Sequence, residues 1–119
     1  MGGVIAVLAA LEKPERMTHL VLTVTSGGID MRGSGAQDWR RGFLEANSSL
    51  PDWFVSFESD LTPALERVSQ PVLLLWGDAD PYSPVADARL HVVSGGNHDL
   101  ANVHAEQLAP IVDAHLLRT

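Results

Sequence analysis

Residues 71–84 read PVLLLWGDADPYSP. An almost unbroken apolar run over residues 72–76 empties into a turn that holds two carboxylates, Asp78 and Asp80. Runs of this kind mark strands buried on both faces of a parallel sheet. Further along, residues 89–100 read RLHVVSGGNHDL. That is a short strand candidate over 89–93, then a glycine-rich turn that carries His98. In open α/β sheets, catalytic groups gather beyond the carboxyl ends of the strands. An acid turn and a histidine turn after two apolar strands are therefore expected to project from one edge of a sheet. Hydrolysis by a serine needs a histidine base and a carboxylate that fixes its tautomer and orientation. These two turns supply that pair.

The flanking elements on both sides fit the same architecture. Val4, Ile5, Leu8 and Leu11 recur at helical spacing, and Pro14 stops that helix. HLVLTVTS, residues 19–26, is rich in β-branched residues and reads as a strand, closed by the turn Ser26-Gly27-Gly28. Residues 29–36 read as loop. Residues 37–46 can form a helix with Trp39 and Phe43 on one face, and residues 50–57 a second short one after Pro51. Asp60 can cap a helical turn that runs to Val68. Near the end, Leu108, Ile111, Val112 and Leu116 form a helical stripe over residues 103–117, and Pro110 inside it is expected to kink the helix. Strands alternating with helices imply a parallel α/β sheet with right-handed crossovers. Residues 79–88, between the second and third strands, make a short link for a parallel crossover. Either that connection is unusually short or those two strands are not parallel neighbours.

Composition narrows the function classes. At 119 residues the chain is one domain at most, with a modest core. An apolar fraction of 45% with 19% charged residues fits a globular chain rather than a disordered one. Net charge is −7 and no Lys or Arg cluster stands out, so nucleic acid and anionic membrane are excluded as expected partners. There is no cysteine, hence no disulfide and no thiol nucleophile. This fits a reducing compartment, and a cytoplasmic location is expected. The apolar start MGGVIAVLAALEK lacks the positive flank of a signal peptide and is too short to span a bilayer.

The pair of motifs PVLLLWGDADPYSP and LHVVSGGNHDLA resembles the C-terminal part of the α/β-hydrolase superfamily, of the esterase-like serine hydrolase kind. In that family the triad runs Ser, then acid, then His. The resemblance implies an incomplete α/β-hydrolase fold, with about three mostly parallel strands and flanking helices. It implies Asp80 as the triad acid, His98 as the general base, and Asp78 as a turn or supporting residue; the turn leaves an exchange of the two Asp roles open. The start MGGVIAVL resembles the residues straight after the nucleophile in Gly-x-Ser-x-Gly, with Met1 in the x position and Gly2 as the closing glycine. The serine would then stand one residue before Met1, outside these 119 residues. The implied function is hydrolysis of esters or other small acyl substrates by a completed protein, with no cofactor implied and this chain inactive alone. Residues 1–119 would form the C-terminal portion of one hydrolase domain, and residues 29–60 a small insert where the family carries its cap. One departure stands out: the segment between Asp80 and His98 is shorter than the family's by about a helix, which would shift Asp80 relative to His98.

Other residues have plainer readings beside sharper ones. Ser26, Ser34 and Ser94 are the in-chain candidates for a replacement nucleophile, and Ser26 reads first as a turn residue. His91, His98, Asp99 and His104 match no strong metal-ligand spacing. His19 and His115 read as surface or helix-end residues. Trp39, Trp53, Phe54 and Phe57 could line an acyl pocket or simply pack over the sheet. The alternative to an enzyme is a non-catalytic remnant or interaction module. In it the strand LVLTVT keeps an exposed edge and self-associates through it.

Overall fold

A computed structural model describes the whole chain except Arg32, Ser34, Ser59, residues 82–90 and Thr119. Helix α1 (Gly2–Glu12) leads through a 3-10 turn at Pro14–Arg16 into strand β1 (Leu20–Thr23). Two short helices follow, α2 (Arg40–Ala46) and α3 (Trp53–Ser56), then a 3-10 helix at Thr62–Arg67. Strands β2 (Val72–Gly77) and β3 (His91–Val93) come next, then α4 (Leu100–Val103) and α5 (Ala105–Leu116).

The sheet has the order β1-β2-β3, and both pairings are parallel. Leu20 pairs with Val72 and Leu22 with Leu74; Leu75 pairs with His91 and Gly77 with Val93. The incomplete α/β fold expected from the sequence is the one observed. The two strands joined by the short link are parallel neighbours. β3 is described over His91–Val93; Arg89 and Leu90, with which the expected strand begins, lie outside the described residues.

Alternation along the strands builds two cores, one on each face. On one face Leu22 packs with Val7 of α1 and with Leu61, and Leu65, Val68 and Leu74 complete that cluster. On the other, Leu75, Val93, Leu100 and Leu108 pack with Val24, backed by Ile111 and Val112 of α5. Leu100 is fully buried and Leu75 nearly so. β2 is buried on both faces only in its second half: Val72 is exposed while Leu75, Trp76 and Gly77 are buried. The buried half is the one that leads into the acid turn.

Three details differ from expectation. The C-terminal helical segment breaks at His104, whose φ of −113° and ψ of 26° lie outside the helical range. α5 begins at Ala105 and includes Pro110. His115 is buried rather than on the surface. It follows Leu108, Ile111 and Val112 on the same helical stripe, and its Nε2–H donates to the Leu20 carbonyl at 3.1 Å. β1 stops at Thr23 because Val24 takes a left-handed φ of 43°, rare for a β-branched residue.

Candidate active site

The sheet ends at Gly77 and Val93, and a tight turn leaves each strand. The two turns are locked together by their backbones. Ala79 N–H donates to the Gly96 carbonyl at 3.0 Å, and Asp78 N–H to the Val93 carbonyl at 3.4 Å. Two glycines make this approach possible. A Cβ on Gly77 would run into the Gly96 carbonyl, and one on Gly96 would meet Leu100 Cδ1 at 2.6 Å and Gly77 Cα at 3.0 Å. Gly95 has a φ of +71°, a conformation L side chains rarely adopt. The glycines of LLLWGD and VSGGNH are thus the local reason that the two turns meet.

Within that frame the two carboxylates of the acid turn do different things. Asp78 is exposed, and its Oδ1 accepts the Gly95 N–H at 2.6 Å. It ties the acid turn to the histidine turn. Asp80 is buried, with no side-chain surface open to solvent. Its Oδ2 lies 3.1 Å and its Oδ1 3.3 Å from His98 Nδ1. A carboxylate can only accept, so this contact puts the proton on Nδ1 and leaves Nε2 with a lone pair. His98 itself is about half exposed, at 52% for the side chain. A buried acid behind a half-exposed imidazole is the arrangement by which a carboxylate orients a base toward a reactant. The short link between Asp80 and His98 has not pulled the two apart. Residues 82–90 of that link lie outside the described residues.

The other candidates fall elsewhere. Ser26 Oγ accepts the Gly28 N–H at 3.4 Å, the turn role read from the sequence. Ser94 is exposed, and Ser34 lies outside the described residues. Among the described residues no three His, Asp, Glu or Cys side chains gather as a metal site would require. The aromatic residues of the insert pack on one another. Phe43 and Phe54 stack at 5.2 Å, and Trp39 meets Phe43 edge-on at 5.5 Å. Sequence reasoning missed His115; the helical spacing from Leu108 was the signal that placed it inward.

A three-stranded parallel sheet between helical layers, with a carboxylate and an imidazole meeting at its carboxyl edge, defines an α/β protein of hydrolase architecture. A crystal structure of MGS-MChE2, an α/β hydrolase from the metagenome of lagoon sediments at Mar Chica, Morocco, superimposes with a TM-score of 0.68. That match covers 95% of this chain and 56% of the other at 20% identity. A protein named "Putative non-heme chloroperoxidase" from Synechocystis sp. (strain ATCC 27184 / PCC 6803 / Kazusa) is 28% identical over 74 residues. Those residues are 53% of this chain and 25% of that protein. No family model matches the chain. The fold is therefore that of the C-terminal part of an α/β hydrolase, and the chain spans about half or less of the proteins it matches. Among the described residues no helix is long and apolar enough to cross a membrane.

Proposed function

We propose that residues 1–119 supply the acid and base of a serine-hydrolase triad acting on esters or other small acyl substrates. His98 Nε2 takes the proton of an attacking hydroxyl, and Asp80 holds the ring in the Nδ1–H tautomer and balances the imidazolium. Asp78 is a positioning residue, acting through Gly95. The contact at 3.1 Å between Asp80 and His98 carries this reading. The nucleophile comes from outside residues 1–119, in the position that the start MGG suggests, and residues 29–60 form the small cap-like insert. The protein works in the cytoplasm on this reading.

The test uses the protein as its host makes it. Its intact mass is measured, p-nitrophenyl acetate and butyrate are assayed, and a fluorophosphonate probe is applied to label an activated serine. The expected result is a mass above 12.8 kDa, ester turnover and one labelled serine. His98→Ala should lower turnover by at least about 10⁴-fold, because it removes the base through which Asp80 acts. Asp80→Asn should cost on the order of 10⁴-fold, because it favours the wrong tautomer. A protein that turns over no ester and takes no label, or whose turnover survives both substitutions, sinks the reading.

One observation favours a second reading. Among the described strands β1 pairs with β2 alone, and its other edge carries Val21 and Thr23 without a charge or a proline to blunt it. On that reading the chain is a non-catalytic module that associates with itself through β1. A monodisperse monomer with a cooperative melt counts against it.

A further inference from the structure

On the α1 side of the sheet lies a cavity of about 330 Å³ that neither Asp80 nor His98 lines. Leu22 of β1 and Leu74 and Trp76 of β2 form its floor, and Val7 of α1 and Leu65 form its sides. At the carboxyl end of β1, Thr25 and Ser26 line it, the two residues with hydroxyls among those that do. The walls are otherwise apolar, and no Lys, Arg, His, Asp or Glu is among the described residues that line it. An apolar cavity of about 150 Å³ holds a benzene molecule, so this one has room for on the order of ten carbon atoms.

The hydroxyl end decides what such a molecule looks like. Thr25 Oγ1 accepts the Gly27 N–H at 3.2 Å, and Ser26 Oγ accepts the Gly28 N–H at 3.4 Å. Each oxygen is already an acceptor. Among the described residues neither hydroxyl proton has an acceptor of its own. The cavity therefore offers two donors at one end of an apolar channel. A carboxylate placed there would meet no Lys, Arg or His among the described lining residues, and burying an unpaired charge is costly. An uncharged carbonyl matches both donors without that cost.

We propose that this cavity binds a linear apolar molecule of about ten carbons ending in an uncharged carbonyl, its chain on the β1–β2 face and its oxygen on Thr25 and Ser26. The site is distinct from the Asp80–His98 pair. Binding there does not depend on hydrolysis.

The probe is 2-decanone, a ketone that an ester hydrolase does not cleave, titrated while the indole N–H resonance of Trp76 is followed. A saturable shift is expected, with decane and decanoate binding more weakly. Ser26→Ala and Thr25→Val should each lower affinity about fivefold, the share of one hydrogen bond. Val72→Trp, placed at the exposed rim of the same cavity, should remove saturation while circular dichroism shows an intact fold. His98→Ala should leave binding unchanged. The proposal is overturned by the absence of a saturable shift, by saturation that survives Val72→Trp, or by decane binding as tightly as the ketone. Affinity that ignores both hydroxyl substitutions overturns it as well.

Discussion

The turn pair beyond β2 and β3 and the insert between β1 and β2 are built in opposite ways. In the turn pair, main chain touches main chain: Gly77 lies against Gly96, and amides of one turn reach carbonyls of the other. In the insert, rings meet rings: Trp39, Phe43 and Phe54 pack on one another, and Trp53 remains 58% exposed. Backbone contact tolerates no added atom, so it fixes a side chain such as His98 closely. Ring stacking on a half-exposed surface tolerates repacking and fixes little beyond itself. Chemistry that needs a contact at hydrogen-bond distance belongs on the first kind of scaffold.

Gly77→Ala puts the most severe strain on this contrast. One methyl would be forced into the Gly96 carbonyl. Overpacking of this kind costs about 1–3 kcal/mol, and here the strain separates the two turns. A lower melting temperature is expected together with loss of the Asp80–His98 contact, read from the His98 Nδ1–H resonance. A Gly77→Ala protein with unchanged stability and an unchanged resonance would show that the glycine contact does not hold the turns.

Next in size is Asp78→Ala, which leaves the Gly95 N–H without its acceptor. A hydrogen bond to a charged group contributes about 1.5–3 kcal/mol, and Asp78 is exposed, so the lower end applies. The positioning role predicts more than lost stability. On the proposed hydrolase reading kcat should fall with KM nearly unchanged, and Asp78→Asn, which keeps an acceptor oxygen, should restore most of it. Equal defects in both variants would mean that charge and not geometry is what Asp78 provides.

In the insert, Phe54→Ala removes the ring stacked on Phe43. Such pairs contribute about 0.5–1.5 kcal/mol beyond the area they bury. Denaturant melts should show a loss of that order, while the His98 Nδ1–H resonance stays in place. A shift of that resonance would couple the insert to the site and erase the contrast between the two regions.

The turn pair was legible because its signals are local. An apolar run followed by Gly-Asp-x-Asp, and a second followed by Gly-Gly-x-His, place Asp80 and His98 at strand ends with no knowledge of the rest. The parallel sheet came from the alternation of elements, while the short link between β2 and β3 left their pairing open. What escaped depends on tertiary packing. The break at His104, whose carbonyl accepts the Gln107 and Leu108 amides as α5 begins, has no glycine or proline beside it to announce it. His115 reads as a surface or helix-end residue; it does lie in the last turn of α5, but its burial rests on a carbonyl at the start of β1, far away in sequence. Val24 reads as one more strand residue, and nothing local announces its positive φ. It sits in the core with Leu75 and Leu100, and that packing holds a backbone the residue would not choose.

The weakest effect concerns the hinge between insert and sheet. Asp60 Oδ1 accepts both the hydroxyl of Thr62, at 2.6 Å, and its backbone N–H, at 3.0 Å. The hydroxyl bond first and the amide bond second hold the Asp60 carboxyl below the usual carboxylate range; slight desolvation and the charge of Asp30 oppose them. A carboxyl with a depressed folded-state pKa adds stability that is fully present above its unfolded value. That stability is lost as the pH falls through the folded one. Asp60 is fully exposed to solvent, so the contribution is small and screened by salt. Thr62→Val removes the hydroxyl donor and keeps the shape. Its stability deficit relative to wild type should be visible at neutral pH and shrink below about pH 4, where the carboxyl begins to protonate in the unfolded chain. A deficit that stays constant down to about pH 2, below the unfolded carboxyl's range, would place the loss in packing around Leu61 instead, and the junction would then belong with the ring-stacked insert rather than with the hydrogen-bonded turns.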